Sequence, residues 1–251
     1  MIALKLHKAC KCKPGSPSRP VTLFLLFLIF LSFSGFSYIV PPLLPYPQKV
    51  EGKPGRFWLN NTIYLSYGID RNDRVIEEIR ELLVSSGSPE FRELTNNVRQ
   101  EKGKMIRILL QPVTGISDPE GYQLTVNSGE IVLEAANTAG LYRGVQTLKQ
   151  LVVRNNGNVY IACCRISDWP AFSYRGFLQD VGRNYMPLSL LKEQIDVMAA
   201  YKFNVFHFHV TDNPGWRLQS ARYPQLKEAS AMSRWKGNYY SREEFLDLVN
   251  Y

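Results

Sequence analysis

The hydrophobic positions of the chain change their period several times, which predicts a mixture of helices and strands. Apolar residues recur at helical spacing over residues 72–85 and 138–151, and each stretch predicts a helix with one apolar face. Tyr122, Leu124 and Val126 alternate with polar residues, and the turn residues 127–129 lead into the apolar run 131–135, which predicts a hairpin. Three further strands are predicted over 62–67, 105–113 and 159–166. This order favours an α+β domain with one sheet over residues 41–171.

The pattern after Asp168-Trp169-Pro170 is different, because strands and helices now alternate one by one. Residues 175–181 and 204–210 read as strands, and Pro187 can occupy the first position of a helix between them. Ser241 and Glu244 have the spacing of a capping box for a last helix. Such alternation is typical of the start of an α/β (TIM) barrel of eight β/α units, which needs about 250 residues. We therefore expect residues 172–251 to form an incomplete barrel and the chain to be a fragment, truncated after about two β/α units.

The amino terminus has the pattern of an export leader. Five basic residues and no acidic residue lie within positions 1–20, and residues 21–40 contain no charge. A basic prefix followed by an apolar run predicts a secretory signal peptide. A membrane anchor through residues 21–40 is the alternative, because about 20 apolar residues can span a bilayer. With residues 1–40 as signal or anchor, we expect the rest of the protein to be exported, either secreted or periplasmic.

Charge and cysteine content narrow the choice of partners. The net charge of +8 falls to +3 without the first twenty residues, because 25 basic residues then face 22 acidic ones. This surplus forms no basic stripe, so we expect no nucleic-acid partner. Cys10 and Cys12 precede the apolar run, and the neighbours Cys163 and Cys164 point to opposite faces of a strand. The sequence thus predicts buried free thiols and no disulfide framework.

The candidate chemistry lies in the strand that ends at Val210. Period two places His207 and His209 on one face, and Asp212 follows at the carboxyl end, where barrel enzymes keep their sites. Three interpretations stay open: hydrogen-bonded core histidines, a zinc or metal-pair site that needs further ligands, and sugar recognition. In the last, Arg175 can span two vicinal hydroxyls, Asp212 can accept from a hydroxyl and Trp216 can pack against a pyranose ring.

Several motifs together resemble the β-N-acetylhexosaminidases of glycoside hydrolase family 20. The two barrel motifs are Tyr174-Arg175-Gly176-Phe177-Leu178-Gln179-Asp180-Val181-Gly182-Arg183 and Lys202-Phe203-Asn204-Val205-Phe206-His207-Phe208-His209-Val210-Thr211-Asp212, the second followed by Gly215-Trp216-Arg217. Upstream, Glu120-Gly121-Tyr122 and residues 139–148 are similar to the small α+β domain before that barrel. The resemblance covers about residues 44–251.

The resemblance implies a function, a substrate and roles for particular residues. Arg175 would bind hydroxyls of the terminal N-acetylhexosamine of a glycan, and His209 and Asp212 would belong to the polar network of the site, with Asp180, His207 and Trp216 in support. In this family the substrate's 2-acetamido oxygen is the nucleophile, and hydrolysis retains the anomeric configuration. A glutamic acid protonates the leaving oxygen and the preceding aspartate orients the acetamido group. No metal or organic cofactor is required.

The Asp-Glu pair of that mechanism belongs to a later strand and is absent from this sequence, so the catalytic residues are unknown here. Glu77-Glu78 and Glu243-Glu244 lie on predicted helices and are expected to be solvated or to cap them. Asn213-Pro214 stands where many relatives carry Asp-Gln, and Asn184 where many carry His. The alternatives are a metal-dependent barrel hydrolase using His207 and His209 and a non-catalytic secreted carbohydrate-binding protein. The oligomeric state, the linkage and the choice between N-acetylglucosamine and N-acetylgalactosamine stay open.

Overall fold

The computed structural model of the protein describes residues 40–88, 90–94 and 103–251. The predicted leader therefore lies almost wholly outside the described residues. Within these ranges, no helix combines the length and the apolar character needed to cross a membrane.

The first part of the chain forms one mixed sheet. Its described strands are β1 (Lys49–Trp58), β2 (Ile63–Tyr67), β3 (Phe91–Leu94), β4 (Lys104–Leu110), β5 (Tyr122–Val126), β6 (Glu130–Ala135), β7 (Val152–Asn155) and β8 (Asn158–Asp168). Their order is β1-β8-β5-β6-β4-β2-β3, and β7 pairs with β8 beside this path. The pairs from β3 to β6 are parallel and those from β6 to β1 are antiparallel. The predicted hairpin is β5–β6, with Leu124 opposite Leu133.

Two helices cover this sheet, as their apolar faces predict. They are α1 (Arg74–Ser85) and α2 (Thr138–Gln150), and Asp73 caps α1 by accepting from the amide of Val75 at 2.9 Å. The fully buried residues of both helices and of the sheet form a single core. Cys163 and Cys164 are free and buried, which confirms the prediction for these two thiols.

The second part of the chain is a β/α/β unit with a further helix. Its elements are β9 (Gly176–Asp180), α3 (Leu188–Ala200), β10 (Val205–His209), β11 (Thr211–Asp212), β12 (Gly215–Trp216) and α4 (Arg242–Asn250). Strands β9 and β10 are parallel, with Gly176 opposite Val205 and Asp180 opposite His209. Pro187 is the N-cap of α3 and not its first helical residue, because its ψ of 148° is extended. The capping box of Ser241 and Glu244 is present at α4.

A small apolar cluster fixes which face of β10 meets the helices. Phe206 and Phe208 pack against a core that contains Leu191 and Leu248. Because side chains alternate along a strand, His207 and His209 take the opposite face, as predicted. Their ring centroids lie 6.2 Å apart.

Candidate functional site

The carboxyl ends of β9 and β10 bring three predicted site residues together. Asp180 ends β9, His209 ends β10 directly opposite it, and Asp212 follows in β11. One donor atom from each of these three residues lies within 4.8 Å of the others. Parallel pairing places the carboxyl ends of both strands on the same side. We call this group of Asp180, His209 and Asp212 the carboxyl edge.

Arg183, which sequence reasoning did not select, joins this cluster. Its Nη1 lies 3.0 Å from Oδ2 of Asp180, and its Nη2 lies 2.8 Å from Oδ2 of Asp212. Its backbone amide also donates to Oδ1 of Asp180 at 3.0 Å. The side chain is nevertheless 60% exposed, whereas those of Asp180 and Asp212 are 20% and 19% exposed. The guanidinium is thus oriented by two carboxylates and open to solvent on its other side.

The electrostatics of the edge keep Asp212 ionised. The amide of Asn213 donates to Oδ1 of Asp212 at 2.7 Å, and this bond, with the nearby charge of Arg183, lowers the pKa of Asp212. Nε2 of His209 lies 3.5 Å from Oδ2 of Asp212, which is long for a hydrogen bond. That nitrogen is buried and has no hydrogen-bond partner within the described part of the chain. It is therefore a buried polar atom of the site that lacks a close hydrogen-bond partner.

Gly182 allows the two loops of the edge to approach each other. A Cβ atom at Gly182 would lie 2.9 Å from the backbone nitrogen of Asp212 and 2.9 Å from the carbonyl carbon of Thr211. Both neighbours are backbone atoms that cannot rotate away. Glycine at this position thus lets Arg183 and Asp212 come within contact distance.

The other two supporting residues, His207 and Trp216, differ in their structural surroundings. His207 is exposed on the same face of β10 as His209, one period closer to the amino end. Trp216 lies in β12, paired with Thr211, and its indole nitrogen donates to the carbonyl of Leu218 at 2.5 Å. Trp216 is half-buried, so part of this residue is accessible to solvent.

Arg175 lies at the other end of β9, one residue before the strand begins. Its guanidinium pairs with Glu120 and donates to the carbonyls of Lys202 and Phe172, each at 2.7 Å. The side chain is 19% exposed. The predicted role of Arg175 in sugar binding stays a prediction, and its observed contacts join the β/α/β unit to the first sheet.

Glu120 lies at the centre of these contacts. We call Glu120 and its partners Arg143, Arg175 and Asn204 the joint. Besides its bond from Arg175, Glu120 accepts from Arg143 at 2.7 Å and from Nδ2 of Asn204 at 3.1 Å. Burial alone would raise the pKa of Glu120, but the hydrogen bonds from Arg175 and Arg143 outweigh it and lower the pKa. A second buried pair, Lys202 with Asp168 at 2.7 Å, lies beside it.

A cation could be held at the carboxyl edge only in competition with Arg183. Asp180, His209 and Asp212 offer the oxygen and nitrogen donors that divalent metals bind. However, the guanidinium of Arg183 already contacts both carboxylates and supplies positive charge to them. Arg183 would therefore compete with a metal ion for both carboxylates.

Parallel strands with helices between them and polar side chains at their carboxyl ends define the class of α/β-barrel enzymes. Two family models match the chain: glycosyl hydrolase family 20, domain 2, over residues 40–169, and glycosyl hydrolase family 20, catalytic domain, over residues 172–251. The chain belongs to glycosyl hydrolase family 20, a family of glycosidases. Its second part is the start of the catalytic barrel domain.

Individual relatives agree with this assignment. The chain is 30% identical to the beta-hexosaminidase subunit alpha of Mus musculus, over 83% of this chain and 42% of the relative. It is 35% identical to a beta-hexosaminidase of Akkermansia muciniphila, over 61% of this chain and 33% of the relative. The solved beta-N-acetylhexosaminidase of Bacteroides fragilis matches with a TM-score of 0.71 and 27% identity, over 82% of this chain and 41% of that structure. The chain thus spans less than half the length of these relatives.

A positional signal in the sequence could have found Arg183. It comes three residues after Asp180 and therefore lies past the carboxyl end of the first barrel strand. Arg175, by contrast, precedes that strand. Because Asp212 follows the carboxyl end of the neighbouring strand, a position past the end of the first strand places Arg183 beside it.

Proposed function

We propose that the protein is a β-N-acetylhexosaminidase that releases terminal non-reducing N-acetylhexosamine from glycans, and that residues 172–251 contribute one wall of its sugar site. The observation that carries this proposal is the Arg183 guanidinium held between Asp180 and Asp212. A planar fork beside two carboxylates supplies both donors and acceptors to neighbouring hydroxyls of one sugar ring.

The other groups of the edge support a sugar ligand. The imidazole of His209, whose side chain is 35% exposed, can exchange a hydrogen bond with a hydroxyl. The half-buried side chain of Trp216 can pack against an apolar sugar face. Arg175, the arginine that the family resemblance implies for sugar binding, is instead paired with Glu120 at the opposite end of β9. These contacts favour Arg183 for that role.

Catalysis would proceed with the substrate's own acetamido oxygen as nucleophile and with retention at the anomeric carbon. A glutamic acid would protonate the leaving oxygen, and the preceding aspartate would stabilise the developing charge on the acetamido group. Neither group of this pair is identified in the sequence. We therefore infer that the chain is the amino-terminal part of a longer polypeptide, that its barrel is truncated after two β/α units, and that it has no glycosidase activity by itself.

The experiment is an assay of two purified proteins on a chromogenic N-acetylglucosaminide and on the corresponding N-acetylgalactosaminide. The complete polypeptide is expected to hydrolyse at least one of them, with and without a chelator, whereas residues 1–251 should give no turnover. Activity of the shorter chain close to that of the complete polypeptide would contradict the missing acid. Loss of activity on chelation, restored by zinc, would favour a metal-dependent hydrolase instead.

Export is the second part of the proposal. The five basic residues before the uncharged run 21–40 support a leader that directs the protein out of the cytoplasm. Sequencing the amino terminus of the mature protein tests it. A new terminus after the run indicates a cleaved signal, and an intact one in the membrane fraction indicates an anchor; an intact terminus in the cytoplasm would contradict export.

A further inference from the structure

Arg217 is a fully buried arginine whose charge is met by backbone dipoles. Its exposed fraction is 0%. Within the residues that the structure describes, its guanidinium donates to five carbonyl oxygens and lies 3.0 Å from the sulfur of Met232. Removing a charge from water is costly, so a buried guanidinium needs nearly all of its donors satisfied. Arg217 meets this demand by gathering carbonyl groups from separate segments.

These carbonyls come from two places in the chain. Nε donates to Val181 at 3.2 Å and Nη2 donates to Gly182 at 3.1 Å, both directly before Arg183. The other three belong to residues 232–238, which we call the rim loop. They are the carbonyls of Arg234 at 2.8 Å, Trp235 at 3.1 Å and Asn238 at 3.0 Å.

The two segments flank the proposed sugar site. The amides of Val181 and Gly182 donate to the carbonyl of His209 at 3.0 and 3.2 Å, which fixes the backbone from which the Arg183 side chain extends. The rim loop returns to the same place, because Nη2 of Arg234 donates to the side chain of Asn184 at 3.1 Å. The Arg217 side chain thus binds both segments: the backbone directly before Arg183 and the rim loop, which contacts Asn184 directly after it.

The space around Arg217 is built for a guanidinium. A Cβ atom on Gly215 would lie 3.2 Å from its Cζ, so glycine leaves the room that the planar group occupies. Trp235 has a φ of 50°, which an L-residue adopts at a cost, and its carbonyl is one of those that Arg217 holds. Lysine could not replace these contacts, because a single ammonium has three donors and no fixed fork.

We propose that Arg217 is a positioning residue for sugar binding, which holds the backbone of Val181 and Gly182 and the rim loop so that the Arg183 guanidinium stays aligned with Asp180 and Asp212. This inference rests on the proposed function. Arg217 acts through Arg183 and does not itself touch the sugar, since it is completely buried.

The test is a double-mutant cycle in the complete polypeptide, with Arg217→Met and Arg183→Ala made singly and together. Residues that act independently give additive losses, whereas residues that act through one another do not. We expect Arg217→Met to lower kcat/KM for the N-acetylglucosaminide by about tenfold, chiefly through KM. We also expect Arg183→Ala to cost several-fold less in the Arg217→Met background than in the wild type. Arg217→Lys should recover little of the loss.

Hydrogen exchange gives a readout that does not depend on turnover. Peptides that cover residues 181–184 and 232–238 should exchange faster in Arg217→Met, while those of β5 and β6 should not change. Leu148→Ala, a core deletion in the first domain, is the control for general loss of stability and should leave the cost of Arg183→Ala unaltered.

The outcomes separate the inference from the proposed function. An active wild type in which Arg183→Ala costs the same in both backgrounds, or in which exchange at residues 181–184 stays unaltered, overturns the positioning role alone. A complete wild-type polypeptide that hydrolyses neither N-acetylhexosaminide overturns the proposed function, and the inference falls with it.

Discussion

At each end of strand β9 an arginine pairs with acidic residues, but the two arginines differ in how far they are exposed to solvent. At the amino end, Arg175 pairs with Glu120 and is 19% exposed. At the carboxyl end, Arg183 pairs with Asp180 and Asp212 and is 60% exposed. The first guanidinium also donates to two backbone carbonyls, whereas the second directs its remaining donors toward solvent.

This difference indicates that the burial and the partners of an arginine, and not its place in a motif, determine whether it stabilises the fold or can bind a ligand. A buried and fully paired guanidinium contributes to folding, because removing its partner leaves a charge without compensation. An exposed guanidinium contributes little to stability, since water screens its ion pairs. It can, however, exchange water for a ligand. We therefore expect the amino end of the strand to contribute to stability and, under the proposed function, the carboxyl end to contribute to sugar recognition.

Removal of the Arg183 guanidinium is expected to have the largest effect. In the complete polypeptide, Arg183→Ala is expected to lower kcat/KM for an N-acetylglucosaminide by roughly 100-fold, which corresponds to about 3 kcal/mol for a lost charged hydrogen-bond pair. The melting temperature should change little because the side chain is largely exposed. Steady-state kinetics and thermal unfolding measure the two effects.

Arg183→Lys is the matched variant for this experiment. It keeps the charge and removes the planar fork, so we expect it to recover only part of the loss. If Arg183→Ala instead lowered the melting temperature strongly and left kcat/KM unaltered, the two ends of the strand would have the reverse of the roles assigned here.

At the amino end, Glu120→Gln tests the role of the joint in stability. Removing the carboxylate charge leaves Arg143 and Arg175 without their shared partner. Breaking a buried pair costs about 3 to 5 kcal/mol, and because these side chains are partly exposed we expect about 2 kcal/mol in the free energy of unfolding. Denaturant unfolding measures it.

The control for Glu120→Gln is Glu51→Gln, which removes an exposed carboxylate on β1. It should change the unfolding free energy by no more than about 0.5 kcal/mol. Equal changes in unfolding free energy for the two substitutions would show that the Glu120 carboxylate does not stabilise the joint.

Much of the fold follows from local patterns in the sequence. Helices α1 and α2, the hairpin β5–β6 and the capping box of α4 are set by periodicity and by short-range capping, so the sequence predicts them well. Strand β1 was not predicted because its sequence contains Pro54 and Gly55. The register of β1 against β8 shifts between Gly52 and Arg56, so the proline lies at a bulge, where the ladder needs no donor.

The site was predicted only in part, for a different physical reason. Period two and the carboxyl-end rule predict from the sequence alone that His209 and Asp212 lie together, whereas Asp180 enters only through the family resemblance. The ion pair of Arg175 depends on Glu120, which is 55 residues away in the chain and lies in the turn before β5. No local pattern reports such a contact. The sequence presents Arg217 only as part of a motif. Its burial and its hydrogen bonds to five backbone carbonyls depend on the three-dimensional fold.

A smaller effect is expected when the carboxyl edge is distorted without removing a charge. Gly182→Ala adds a methyl group against the backbone of Thr211 and Asp212, so these loops must move apart. Overpacking of this kind costs about 1 to 2 kcal/mol, which we expect to divide between a raised KM and a lowered melting temperature. Gly68→Ala is the control, because a Cβ atom there would have no neighbour within 4 Å. A Gly182→Ala enzyme with wild-type KM would show that the separation of the two loops does not matter for binding.

The pH dependence of the unfolding free energy tests whether the charge of Glu120 stabilises the amino end of β9. The folded-state pKa of Glu120 is lowered by its two arginines, so its stabilising contribution is fully present above the unfolded pKa of about 4.3 and is lost as pH falls through the lower folded value. Wild type and Glu120→Gln should therefore differ in unfolding free energy at neutral pH and converge as the pH drops below about 4. A difference between wild type and Glu120→Gln that stays constant down to the acid limit would mean that the joint is held by the shape of the side chain and not by its charge.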